Sequence, residues 1–407
     1  MAELLNIERL GHRGDGIAMR EGAPVYVAGA LAGETVEAAG GGDRLELVRV
    51  LEASPDRVTP QCRHFGDCGG CAIQHLAEPA AASWKREQLV AALAARGLDL
   101  PVEEIWTAPA GSRRRAVFAL KSAPRGALLG FHGRRSHRLV DLAACTVVVP
   151  AIASRLAALR RLAGPLAPRR GEAAVTVTAA GNGLDVAVAG SGLDPFRADL
   201  AERMEEAGAI RLTVDGELAL QLREPVVDMA GTPVAPPPGG FLQASAEAEG
   251  FLRLTTLEWI GGAPAADLLC GVGAFALGLA RLAPVTAMDG DAAAIGALSQ
   301  ALRRASGLKP VEAVRRDLFR APLQPDELKR FSGVVFDPPR AGAEAQARAL
   351  AQSSVRRLVA ISCNPATLAR DLRHLADGGY AVKRLVPVDQ FRHSPHIEAM
   401  ALLERER

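Results

Sequence analysis

From residue 240 onward the chain repeats one unit: a short apolar run, a turn containing glycine or proline, and an alanine- and leucine-rich stretch long enough for a helix. The apolar runs lie at 265–269, 285–288, 333–336 and 357–361. Runs of this length without polar alternation belong to strands covered on both faces, and parallel strands joined through helices are covered in that way. The pattern predicts a Rossmann-like, doubly wound, mostly parallel sheet over 236–407. Its start is marked by 234–240, Val-Ala-Pro-Pro-Pro-Gly-Gly, a composition that sustains neither helix nor sheet and reads as a linker.

At 407 residues the chain is too long for one core, so two or three domains are expected. Between residues 4 and 51, β-like runs at 25–27, 35–37 and 45–50 alternate with glycine turns, which predicts a small β-barrel over 1–54. Such barrels often bind single-stranded RNA, but Tyr26 is the only tyrosine, tryptophan or phenylalanine before residue 60, so stacking platforms are scarce. The central region, 55–235, holds a cysteine-dense segment at 61–75, a helix over about 83–96, and mixed strands and alanine-rich helices, an α+β composition.

Net charge is +2, which conceals an asymmetry. Residues 55–170 hold 18 Lys and Arg against 8 Asp and Glu, a surplus of ten, so the rest of the chain carries −8. A polyanion would bind in that stretch. The competing reading makes Arg134-Arg135, Arg160-Arg161 and Arg169-Arg170 solvated surface, and charge alone does not choose. No apolar run near the start resembles a secretory signal. The longest one, 268–280, contains three glycines and is too short to cross a membrane. A soluble cytoplasmic protein without a membrane partner is expected, and in that compartment metal or catalytic roles for the six cysteines gain weight over disulfides.

Asp267-Leu-Leu-Cys-Gly-Val-Gly-Ala-Phe275 follows a strand and opens a helix. Gly271 and Gly273 allow a sharp turn and close approach of the backbone to a ligand. The next strand ends at Asp289, where a carboxylate accepts from both ribose hydroxyls of a nucleoside, and Asp317 further on suits an adenine amino group. A lone Gly-x-Gly is weak, and Ala276 at the third position leaves a dinucleotide site open. Three acids at successive strand ends, Asp267, Asp289 and Asp317, favour a neutral or cationic ligand over a pyrophosphate. The sulfonium of S-adenosylmethionine fits that description.

Asp337-Pro-Pro-Arg-Ala-Gly342, Ser362-Cys-Asn-Pro365 and Phe391-Arg-His-Ser-Pro-His-Ile-Glu398, with Phe241-Leu-Gln243 and the glycine loop, resemble in order the motifs of the RNA uracil-C5 methyltransferase family. The resemblance implies that Cys363 is the nucleophile and Glu398 the base, with Gln243, Asp267, Leu269, Gly271, Gly273, Asp289, Asp317 and Asp337 around S-adenosylmethionine. The chemistry needs such residues. Uracil C5 is a poor nucleophile until a thiolate adds at C6, and the C5 proton must later leave to a base. Without its setting, a cysteine after a strand is usually a small buried hydrophobe, which is how Cys270 reads, and a glutamate near a chain end is usually solvated. Arg340, His393 and His396 suit contacts to phosphate or to the enolate oxygen. Leu269 stands where many relatives have an aromatic residue, and Asp289 where glutamate is usual.

Cys62-x5-Cys68-x2-Cys71 with distant Cys145 supplies four soft ligands. Zinc is the generic reading, and the uneven spacing also suits a [4Fe–4S] cluster. The resemblance, carried by Cys-Arg-His-Phe-Gly-Asp-Cys-Gly-Gly-Cys over 62–71, favours iron and sulfur, in a role that ties the central region together. It also makes 1–54 TRAM/OB-like and structured RNA the partner. Ribosomal 23S RNA is favoured and transfer RNA is second, with no obligate protein partner evident. Two other classes compete: an RNA-binding or RNA-folding protein whose methyl transfer is secondary, and an iron–sulfur redox protein.

Overall fold

A computed structural model describes residues 2–196 and 198–405; Met1, Arg197, Glu406 and Arg407 lie outside the described residues. The first 52 residues form a β-rich unit of six strands: β1 (Ala2–Asn6), β2 (Arg9–Leu10), β3 (Asp15–Arg20), β4 (Ala23–Ala28), β5 (Thr35–Ala39) and β6 (Arg44–Glu52), in spatial order β1-β5-β6-β4-β3-β2. Alternation places Leu5, Ala18, Val25, Val27, Val36, Ala38 and Leu45 in one small core. The three runs read from sequence all lie within these strands.

The helix Glu78–Ala94 comes next, followed by β7 (Trp106–Thr107). A seven-stranded sheet then builds from β8 (Arg115–Ala123), β9 (Gly126–His132), β10 (Leu139–Asp141), β11 (Ala173–Ala180), β12 (Gly183–Ala189), β13 (Ala209–Val214) and β14 (Glu217–Gln221). Helices Leu156–Ala163 and Leu200–Ala207 pack their apolar stripes against it through Leu159, Leu162 and Met204. A hairpin of β15 (Val227–Met229) and β16 (Thr232–Val234) precedes the proline-rich segment. That segment is not a loose tether. The Arg115 guanidinium donates to the carbonyls of Gly239 and Gly240, and Arg211 donates to Pro236.

The remaining strands are β17 (Ala265–Leu268), β18 (Val285–Asp289), β19 (Val311–Arg315), β20 (Gly333–Phe336), β21 (Arg357–Ser362), β22 (Tyr380–Asp389) and β23 (Glu398–Arg405). They form a sheet with β7 in the order β19-β18-β17-β20-β21-β23-β22-β7. From β19 to β21 all neighbours are parallel, and β23 inserts antiparallel between β21 and β22. Cores on both faces explain the unbroken apolar runs. The order of strands reverses on either side of β17, so a crevice opens there at the carboxyl ends of β17, β18, β20 and β21.

Residues 78–107, placed by sequence in the central region, build into this third unit. β7 pairs with β22, Leu89 and Leu93 join the core of the C-terminal sheet, and Trp106 stacks on Phe251 with ring centroids 4.7 Å apart. The packing unit therefore draws on chain from well before residue 235. Among the described residues no helix is long and apolar enough to cross a membrane.

Candidate active site

The crevice holds a cavity of about 530 Å³, bounded by Gln243, Leu269, Gly271, Asp289, Asp337 and Cys363. That is within the size range of small-molecule sites. The glycine loop forms its floor. Leu269 takes a left-handed backbone conformation (φ 64°) that costs a residue with a side chain, and its N–H is tied to the carbonyl of Met288. Gly271 (φ 53°) donates its N–H to Asp289 Oδ2 at 2.9 Å, which pins the loop to the tip of β18. Gly273 faces away from the cavity. A Cβ there would lie 2.6 Å from Leu298 Cδ1, so the glycine serves packing between loop and helix.

Two of the acids read as cofactor ligands stand elsewhere. Asp267 is wholly buried behind the cavity wall, its Oδ2 accepting from Ala276 N at 2.7 Å and its Oδ1 unpartnered, and burial holds its carboxyl well above the ordinary range. It fastens the loop from beneath. Asp317 does not line the cavity. It accepts from the N–H groups of Phe319 and Arg320 and pairs with Arg320, leaving Phe319, half exposed, to form the rim. Phe241 is exposed on the same rim. Neither phenylalanine was singled out as a ligand from sequence; an apolar side chain beside a motif carries no signal until a cavity is known.

Cys363 follows β21 directly. Asn364 caps the helix Pro365–Asp377 by accepting from Ala366 N, and its amide donates to the carbonyl of Arg340 at 2.9 Å, sewing the Asp-Pro-Pro-Arg turn to the cysteine turn. Burial pushes the Cys363 thiol up to about 11, helped by the nearby Glu398 and Asp337 carboxyls and opposed by the Arg340 guanidinium. Asp337 is hemmed in closely enough that burial raises it to about 7, against a hydrogen bond from Gln243. Glu398, buried at the start of β23, is raised well above the ordinary carboxylate range by burial and then by Asp337. Two acids whose carboxyls burial raises, beside a partly buried thiol, are the kind of perturbed set that marks a reaction centre.

A second, larger cleft of about 980 Å³ meets the first at Cys363. Arg113, Arg340, Cys363 and Phe391 belong to both walls, and the cleft continues past His12, Arg13, Arg134, Arg135 and His396. Arg134 and Arg135 both pair with Asp15, a buried carboxylate of β3 that also meets Arg44, so one acid organises three cations at the seam between the first unit and the second. The basic surplus thus divides. Arg134 and Arg135 face the cleft, whereas Arg114 is buried against Glu249 and Arg161 pairs with Glu206 on an exposed helix.

The loop 391–398 is held from behind. Lys85, fully buried, pairs with Asp389 at 2.6 Å and donates to the carbonyl of Phe391. Ala72 and Ile73 both donate their N–H groups to the carbonyl of His393, which itself adopts a left-handed conformation. These contacts come directly after Cys71. Cys62, Cys68, Cys71 and Cys145 converge on a cavity of about 90 Å³, with Phe131, Leu142 and Val148 among its walls. Gln74 donates to Cys71 Sγ at 3.2 Å and accepts from Cys62 N, and Gly70 N donates to Cys68 Sγ. Among the described residues no three His, Cys, Asp or Glu side chains are arranged to hold a single metal ion.

The fold and cavity define an α/β methyltransferase. The tRNA (Uracil-5-)-methyltransferase family matches residues 305–406. A Brucella suis protein described as "Uncharacterized RNA methyltransferase" is 46% identical over 99% of this chain and 98% of its own length. The 23S rRNA (uracil(1939)-C(5))-methyltransferase RlmD of Chromohalobacter salexigens is 36% identical over the whole of this chain and 90% of its own. In fold, the chain is similar to the Pyrococcus abyssi tRNA (uracil-54, C5)-methyltransferase solved with S-adenosyl-L-homocysteine, with a TM-score of 0.75, 21% identity, and coverage of 98% and 99%. The chain belongs to the S-adenosylmethionine-dependent RNA uracil-C5 methyltransferase family.

Proposed function

We propose that this enzyme forms 5-methyluridine in 23S ribosomal RNA, with Cys363 as nucleophile and Glu398 as base. The observation that carries the reading is the position of Cys363 in the wall shared by the glycine-loop cavity and the basic cleft. A uridine unstacked from RNA in the cleft reaches the thiol from one side, while the methyl donor lies on the other. The substrate choice follows the 36%-identical RlmD relative, matched along nearly its full length. Ribosomal RNA as substrate puts the reaction in the cytoplasm.

In this reading Gln243, Leu269, Gly271, Asp289 and Asp337 would hold S-adenosylmethionine, in a cavity whose rim carries Phe241 and Phe319. The bound donor supplies an electrophilic methyl group. Cys363 gives its proton to solvent in the open cleft, and its thiolate sulfur bonds to uracil C6, which moves the C5–C6 electron pair onto C5 and O4. Once C5 carries the methyl, Glu398 removes the C5 proton, the C5–C6 double bond reforms, and the thiolate of Cys363 leaves. Arg340 is placed to favour the thiolate, since it opposes the upward shift of the thiol. Asp267 and Gly273 support the loop, and Asp317 shapes the turn that presents Phe319.

The first 54 residues act as a TRAM/OB-like RNA-binding barrel, 55–235 as the cluster-bearing region and 236–407 as the catalytic domain. Cys62, Cys68, Cys71 and Cys145 would hold a [4Fe–4S] cluster. Their convergence on one cavity supports a shared centre; the family resemblance favours iron and sulfur, and zinc is the alternative. Their part is structural, because Cys71 leads straight into the backbone contacts that hold His393.

The test is to digest 23S ribosomal and transfer RNA from cells with and without the gene and to map 5-methyluridine by mass spectrometry. Loss of one ribosomal position is expected; loss confined to transfer RNA overturns the substrate assignment.

A further inference from the structure

Between the two perturbed acids lies a pair of buried glutamines. Gln390 is 4% exposed and Gln243 5%. Gln390 Oε1 accepts from the backbone N–H of Ala244 at 3.0 Å, and its Nε2 donates to Gln243 Oε1 at 2.8 Å and to Glu398 Oε2 at 2.9 Å. Gln243 Nε2 in turn donates to Asp337 Oδ2 at 2.7 Å.

The polarity of this chain is forced. A backbone N–H can only donate, so the group facing Ala244 must be the oxygen of Gln390. Both hydrogens of the Gln390 amide are then spent, one on Gln243 and one on Glu398. That makes the facing atom of Gln243 an oxygen and turns its own N–H toward Asp337. Each acid receives one amide N–H, and the order is dictated by a single main-chain group. Gln390 cannot swing away, because Lys85 clamps both neighbours, Asp389 through its side chain and Phe391 through its carbonyl. Glu398 keeps its other oxygen, Oε1, without a partner although it is buried.

We propose that Gln390 is a positioning residue for proton removal: by donating to Glu398 Oε2 it favours the ionised base and leaves Oε1 free to take the C5 proton of the methylated uracil. The inference rests on the assignment of Glu398 as base. The physical reason is that a hydrogen bond to the charged form lowers a carboxyl that burial and the Asp337 carboxyl otherwise drive toward neutrality. Nothing in the terminal motif, which begins at Phe391, marks this residue.

The test uses the full chain with its bound groups, S-adenosylmethionine and a target RNA fragment, in single-turnover reactions across pH. Gln390→Met keeps the volume and removes both donors; Gln390→Glu keeps the acceptor for Ala244 but sets a carboxylate against Glu398. Expected for Gln390→Met are a covalent RNA–protein adduct that persists while its 5-methyl product is released about tenfold more slowly, and an acid limb of the release step moved up by about one pH unit. Gln390→Glu should move that limb further in the same direction. A uniform fall in rate with the limb unmoved, in whichever variant folds, overturns the proposal and leaves Gln390 a packing residue. Glu398→Gln is the control. If it accumulates adduct while both Gln390 variants behave as wild type, the relay fails and the base assignment stands; if it accumulates none, the base assignment fails and takes the relay with it.

Discussion

Two hollows in this molecule are lined by partly buried thiols, and they differ in what surrounds the sulfur. At Cys363 burial raises the thiol to about 11, two acids add to the rise and Arg340 opposes it, and an open basic cleft adjoins the sulfur. At Cys68 and Cys71 burial also raises the thiols, Cys71 to about 12, but the added push comes from the other cysteines, and the walls are mainly apolar. Such thiols become thiolates only by gaining a cationic group that takes the place of their protons. On the reading proposed above, one hollow moves protons and the other gives them up once.

The sharpest way to break this contrast is Cys363→Ala. It should abolish covalent RNA adduct and lower kcat/KM by at least about 10⁴, with thermal unfolding unchanged; methylation at more than a few per cent of wild type would place the nucleophile elsewhere. Next in size is pH. Because Cys363 ionises far above neutrality, kcat/KM at saturating cofactor should rise through pH 7–9 by up to about tenfold per unit. A rate levelling off below pH 8 would show that the bound state already carries a thiolate.

Substituting the other hollow should act differently. Cys145→Ser is expected to lose bound iron, measured by metal analysis, to lower the unfolding temperature, and to cut activity roughly 10–100-fold through the His393 loop. A fully inactive protein with unchanged melting and iron content would make that site part of the chemistry. The smallest effect falls on the cleft. Arg134→Ala and Arg135→Ala should each reduce the slope of log affinity for RNA against log salt by about 0.7, while the single-turnover rate at saturating RNA stays within about twofold. An unchanged slope would remove the cleft as the path of the RNA backbone.

Much of the third unit was legible because burial on both faces writes itself as unbroken apolar runs. β17, β18, β20 and β21 fall where those runs lie, with ends moved by one residue at most. Cys363, Asp337, Gln243 and Glu398 were legible as motif members, and the four converging cysteines as a spacing. Asp267 and Asp317 lie outside the cavity wall, for a reason no sequence shows: an acid at a strand end looks the same whether it faces a ligand or caps a turn, and the direction of the neighbouring N–H groups is a tertiary matter. The arginine run 113–115 shows the same limit. Its members are divided among the wall shared by both cavities, a buried ion pair and the proline-rich segment, which no charge count separates.

The sequence by itself determined the strand–helix alternation, the place of the glycine loop and the motifs that carry the proposed reactive groups, since each depends on local periodicity or on residue type. Tertiary structure alone decided that Cys363 stands in two walls at once, that 72–73 hold the carbonyl of His393, and that the N–H of Ala244 orients two glutamines between two acids. Those contacts join segments as far apart in sequence as Ile73 and His393 or Ala244 and Gln390, fixed by hydrogen-bond direction across packed elements, and direction is a property that no single stretch of chain contains.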